Sequence, residues 1–262
     1  MTRQLPTGLC IEHALTSVRN NIGYAFRISW PWYVVLAVVN IGILTFSGYA
    51  VAGGIDVHPV IFMPIILVIA LINMLAFASI AVNWHRYILL DQVPTGSELF
   101  RLDGLTWRYF GNILLIGLIV AVAFLLLVLL LQVFASLSTI TSIAAILIGL
   151  AGLVFASISI YRLSVKLPAV ALGRRDFSLS HAWAASRGNK QPIFFVILFQ
   201  FSLAIGIAIA FLALDFALAL IDPIIAFVVS QLLQIFVGWL LVILGITILT
   251  SLYGFFVEGR DF

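Results

Sequence analysis

Apolar residues run along this chain in long blocks, and polar residues gather between them. The blocks lie at about 31–52, 60–84, 113–134, 140–161, 193–214 and 224–253. A helix crossing the hydrocarbon of a bilayer needs about 20 apolar residues, each rising about 1.5 Å. Each block therefore predicts one membrane-spanning helix. Pro31, Pro59, Pro192 and Pro223 stand at block starts, where a helix has no intrahelical use for the missing N–H. Short connections (53–59, 135–139 and 215–223) alternate with long ones (85–111 and 162–192). The pattern predicts an all-α integral membrane protein whose six transmembrane helices form three hairpins.

The polar segments before each hairpin carry helical spacing of their own. Ile11, Leu15, Val18, Ile22 and Phe26 recur three or four residues apart, on one helical face. Leu99, Leu102, Leu105 and Tyr109 do the same, with Thr95 or Ser97 available as N-cap and Glu98 in the first turn. Leu179, Ala182, Trp183 and Ser186 make a weaker third stripe. Three amphipathic helices are expected, lying in the headgroup plane or packed beneath the bundle as covers. The segments also resemble one another. Leu9, Phe100 and Phe177 begin them, Asn21, Asn112 and Asn189 end them, and His13-Ala14 and Arg19 match His181-Ala182 and Arg187. Within a single domain, 1–262, this suggests three tandem units at about 9–84, 100–161 and 177–253, although compositional bias in short windows also produces such matches.

Composition excludes a soluble fold. Of the 262 residues, 64% are hydrophobic and 9% charged, and mean hydropathy is +1.24. Soluble domains run at about 45–50% apolar and about 25% charged, so this chain cannot coat a water-soluble globule. All 13 Lys and Arg fall in the N-terminal segment, the two long connections and the tail. The only charged residues in the short connections are acids: Asp56, Asp215 and Asp222. By the positive-inside rule both termini are expected in the cytoplasm. Residues 1–29 carry no uninterrupted apolar core, so no cleaved leader is expected, and the lone Cys10 excludes an internal disulfide.

Candidate chemistry is sparse. His13, His58, His85 and His181 stand at no zinc-motif spacing, and no nucleotide-binding or nucleophile-elbow motif occurs. No catalytic, cofactor or metal residue is predicted. No charged residue lies deep in a predicted span, which counts against an ion-coupled transporter or pump. Amides remain: Asn40, Asn73, Gln132, Gln200, Gln231 and Gln234. Gln231 and Gln234 share a helical face and could line a polar cavity or bond to a neighbouring helix. Gly149 and Gly152, with Ala145 and Ala156, would let the fourth span approach a neighbour closely.

The basic inner face could hold anionic headgroups, although orientation alone also requires it. Candidate headgroup contacts are Arg19, Arg108, Arg187, Trp107 and Trp183. The stretch Arg162-Leu-Ser-Val-Lys-Leu-Pro-Ala-Val-Ala-Leu-Gly173, followed by Ala182-Trp183 and Ser186-Arg-Gly-Asn189, resembles six-helix bacterial inner-membrane proteins of the YciC-like family. It is also similar to the membrane domain fused to some glycerophosphodiester phosphodiesterases. That resemblance implies a membrane module tied to envelope or lipid homeostasis. It does not carry over the hydrolase, because His85-Arg86 is followed by Tyr87 at a helix end with no barrel around it. The expected protein is a non-enzymatic, multi-pass protein of the bacterial inner membrane with a scaffold, lipid-binding or envelope role. The alternative is a passive or facilitated transporter of a small substrate. Expected partners are membrane lipids, anionic ones among them, and another membrane protein, with no nucleic acid and no cofactor.

Overall fold

A computed structural model describes residues 3–53 and 59–262; Asp56 and His58 lie outside the described residues. The described residues form helices α1 (Thr7–Asn20), α2 (Ile22–Ala52), α3 (Pro59–Leu90), α4 (Gly104–Ala135) and α5 (Thr139–Ser164). They continue with α6 (Lys166–Ala171), α7 (Leu179–Ala185), α8 (Lys190–Ala219) and α9 (Pro223–Phe256), and no strand occurs among them. A single 3₁₀ turn, Gly96–Phe100, precedes α4. Helices α2, α3, α4, α5, α8 and α9 are each long and apolar enough to cross a membrane. The architecture is that of a multi-pass membrane protein.

The long helices reach beyond the apolar blocks. α2 starts at Ile22 and runs straight through Pro31, which therefore sits inside a helix and not at its start. α4 starts at Gly104, so most of the polar segment before the third block belongs to the long helix itself. Asp103 caps α4 by accepting from the amides of Leu105 (2.9 Å) and Thr106 (3.1 Å). Asp222 does the same for α9, accepting from Ile224 (2.7 Å) and Ile225 (3.0 Å). Asp215, expected in a connection, lies inside α8, where it accepts a hydrogen bond from the Ser230 hydroxyl. Backbone hydrogen bonding continues wherever the chain can be helical, whereas hydropathy marks only the hydrocarbon layer.

α3 and α9 touch each other and form the centre. α2 and α4 flank α3, α8 and α1 flank α9, and α5 joins α4 to α8, so the contacts close a circuit around the bundle. Gly149 and Gly152 face α4, where a Cβ on Gly152 would collide with the Leu127 side chain. The small residues thus act on α4, as close helix contact in a membrane requires. Burial concentrates at one end: Ala76 to His85 of α3, Ile243 to Phe255 of α9, Tyr109, Ile193, and most of α6. The opposite halves expose Met63, Leu67, Val133, Ile140, Leu212 and Ile224. Such surfaces require acyl chains as solvent.

Two histidines brace the buried end on neighbouring residues of α9. The Thr250 hydroxyl donates to the Ile246 carbonyl (2.9 Å), so it accepts from His85 Nδ1–H at 2.8 Å. His85 Nε2 then accepts from the Tyr109 hydroxyl at 3.0 Å. One neutral imidazole thereby ties α3, α4 and α9 together. The Ser251 hydroxyl likewise donates to Thr247 (3.0 Å), and His13 Nδ1–H of α1 donates to Ser251 at 2.9 Å.

Candidate functional site

The short helices at the buried end set the surface there. α1 buries Cys10, Ala14 and Val18 against the bundle and leaves Leu15 exposed; Ile22 and Phe26, the last two of the expected stripe, belong to α2 and are also exposed. The inner face uses small residues because α1 lies close against α9. The second expected stripe divides. Tyr109 is fully buried and Leu105 packs on the core, while Leu102 is exposed. Thr95 begins the 3₁₀ turn, its amide donating to the Glu98 carboxylate at 3.2 Å. In the third, Ser178 caps α7 by accepting from the amide of His181 (3.2 Å), whose ring accepts from the Ser178 amide (3.3 Å).

The three matching asparagines stand in different settings. Asn21 is the break between α1 and α2; its carbonyl accepts from the Tyr87 hydroxyl (2.7 Å). Asn189 precedes α8 and is buried. It accepts from the Leu5 amide (2.7 Å) and donates to the Arg3 carbonyl (3.0 Å), which pins the N-terminal segment. Asn112 lies within α4 and donates to the Arg108 carbonyl (2.7 Å).

Of the predicted headgroup contacts, Arg19 and Arg187 are exposed at the end of α1 and just after α7. Trp107 and Trp183 are also exposed. Arg108 goes elsewhere: it lines a cleft of about 390 Å³ with Asn112, Lys166, Val170, Arg174, Arg175 and Phe177. Four cations thus face one space between the first turns of α4 and the α6 turn. Arg174 meets Glu258 at 3.6 Å. Among the described residues, Arg108, Lys166 and Arg175 meet no acid. Gly173, at φ +82°, makes the reversal after α6 that delivers Arg174 and Arg175; the Arg174 amide closes it on the Ala169 carbonyl at 2.9 Å. In the sequence Lys166, Arg174 and Arg175 lie in the second long connection and Arg108 in the first, and hydropathy does not bring them together. The available signal was Gly173 followed directly by two arginines.

Trp183 lines a second space, an apolar groove of about 320 Å³ between α4 and α5. It is held there by Arg162, a buried guanidinium lying 3.6 Å from the Trp183 ring centre. Arg162 also donates to the Trp183 carbonyl (2.6 Å) and the Ser186 hydroxyl (3.0 Å). Gln231 and Gln234 are both exposed on α9. Only Gln234 lines the cleft of about 420 Å³ between α8 and α9, together with Asp215.

The C-terminal tail covers His13. Phe262 lies 5.2 Å from the imidazole, Arg3 pairs with Asp261, and Arg260 donates to the Leu89 carbonyl (3.2 Å). Burial, and then the Arg260 charge, hold the His13 pKa below its ordinary 6.5. A depressed histidine favours the folded state while neutral, so its contribution is complete above pH 6.5 and is lost as pH falls through the lowered value. Taking the protein from about pH 8 to about pH 5 should therefore speed amide exchange in α1 and residues 258–262, after correction for intrinsic rates. A His13→Gln variant should lack the pH dependence; equal acceleration in that variant would remove His13 as the cause. Burial also pushes the Cys10 thiol up to about 12, which leaves it unreactive.

No protein-family model, curated protein or solved structure matches this chain.

Proposed function

We propose that this protein is a non-enzymatic, multi-pass protein of the bacterial inner membrane that binds anionic lipid at a basic collar, as a scaffold or envelope-homeostasis component. The reading takes the six long helices as three hairpins with both termini in the cytoplasm, because every basic residue lies in the termini and the two long connections. It takes the three segments that precede the hairpins as interfacial, and the units 9–84, 100–161 and 177–253 as a tandem repeat. The observation that carries it is the cluster of Arg108, Lys166, Arg174 and Arg175 on one cleft, beside exposed Trp107 at the same helix ends. Aromatic rings at the interface and guanidinium groups on phosphates are the chemistry of that layer.

Changing Arg19, Arg108 and Arg187 together to Gln should weaken association with phosphatidylglycerol about tenfold or more, since each basic residue near an anionic surface contributes about 1 kcal/mol. The fold should persist, because none of the three residues is buried. Native mass spectrometry of both proteins from matched vesicles measures bound lipid directly. Unchanged phosphatidylglycerol would make the collar only an anchor of orientation. Passive or facilitated transport would then move ahead, supported by the polar Gln234 and Asp215 in the α8–α9 cleft.

A further inference from the structure

We infer that the cleft between α4 and α6 is a selective site for a lipid headgroup that carries two phosphate charges, with an acyl chain on the apolar α4–α5 groove. The inference rests on the anionic-lipid reading above and names the site and the ligand class within it.

Charge complementarity gives the first reason. Arg108, Lys166 and Arg175 meet no acid among the described residues, and Arg174 is shared with Glu258 at 3.6 Å. Asp176 follows Arg175 in the chain but does not line the cleft. One phosphodiester would neutralise a single cation of this set. Two phosphodiesters joined through one glycerol, as in cardiolipin, match it better. Basic pockets between transmembrane helices on the cytoplasmic side are suited to such headgroups. The cleft, at about 390 Å³, is large enough for a small-molecule-sized group. Asn112 gives one amide N–H to the Arg108 carbonyl, which leaves its second N–H as donor for a phosphate oxygen and its side-chain carbonyl oxygen as acceptor for a headgroup hydroxyl.

Continuity with apolar surface identifies the ligand as a lipid. Arg108, Asn112, Leu115, Ile119 and Ala123 follow one another at three- and four-residue steps, on one stripe of α4. The stripe begins in the basic cleft, passes exposed Leu115, and reaches Ile119 and Ala123, which line the groove with Gly152, Phe155 and Trp183. On the partner side, Leu163 lines the groove and Lys166, three residues later, lines the cleft. Cations first and hydrocarbon next is the order in which a lipid presents head and tail.

The test uses the full chain in phosphatidylcholine nanodiscs containing cardiolipin, or phosphatidylglycerol at twice the mole fraction so that phosphate charge is matched. Native mass spectrometry should show cardiolipin preferred about tenfold. Lys166→Gln with Arg175→Gln should abolish that preference, lowering cardiolipin binding much more than phosphatidylglycerol binding, while leaving thermal unfolding unchanged. The charge-conserving Lys166→Arg with Arg175→Lys should retain it, and Glu258→Gln, which frees Arg174, should strengthen it. Arg19→Gln with Arg187→Gln, outside the cleft, should lower both lipids alike. A preference that survives the Lys166 and Arg175 changes overturns the cleft assignment and leaves the anionic-lipid reading standing. Wild-type protein that binds phosphatidylglycerol no better than phosphatidylcholine overturns that reading itself. Displacement of cardiolipin by inorganic phosphate would make this a soluble-phosphate site and overturn the lipid assignment.

Discussion

Replacing His85 with alanine should destabilise the folded bundle by about 4 kcal/mol, the largest effect expected of a single substitution here. The imidazole is fully buried where α3, α4 and α9 converge, so its removal leaves a cavity. It also leaves the Tyr109 hydroxyl, itself fully buried, without its acceptor. Thr250 loses less, because its hydroxyl still donates to Ile246. Reversible unfolding in mixed micelles measures the loss. Tyr109→Phe should cost about 1–2 kcal/mol in the wild type, through an unsatisfied His85 Nε2, and close to nothing in the His85→Ala background. Additive losses in the double variant would mean that the two side chains stabilise the bundle independently.

The second large effect concerns Arg162. Its guanidinium has no acid within reach among the described residues and is held by the Trp183 ring, the Trp183 carbonyl and the Ser186 hydroxyl. One cation–π contact and two charge-assisted hydrogen bonds to a desolvated side chain together contribute about 3 kcal/mol. Arg162→Leu should therefore release α7 from α5. Amide protection should fall across residues 178–189 and hold in α3 and α9. Arg162→Lys keeps the charge but not the planar fork, so its effect should be intermediate. Protection lost evenly through the bundle would show that Arg162 supports the whole core and not this one clamp. Because Trp183 lines the α4–α5 groove, the same variant should also widen the groove at its basic end.

Six helices long and apolar enough to cross a membrane were legible because a bilayer demands an uninterrupted apolar stretch for each, and this chain supplies six. The small-residue patch at Gly149 and Gly152 was legible for the same kind of reason, since only small side chains permit close approach without water to drive it. Which face of a helix points inward was not legible. In lipid, both the outward and inward faces are apolar, so periodicity does not mark the packed side. α1, outside the spans, shows a related mismatch: Leu15 of the expected stripe faces out, whereas Cys10, Ala14 and Val18 face in. Helix ends were misplaced because capping groups such as Asp103 lie outside the apolar blocks.

What the linear pattern determined is therefore the apolar character of this protein, the number of helices long and apolar enough to cross a membrane, and the gathering of its cations outside the apolar blocks. These follow from transfer energies, which sum residue by residue and need no knowledge of neighbours. The tertiary structure alone decided that Arg108 meets Lys166, Arg174 and Arg175, residues at least 58 positions away in the chain. It alone placed His85 between Tyr109 and Thr250. Both constellations depend on how α3, α4, α6 and α9 converge, and that convergence is set by close packing of specific side chains.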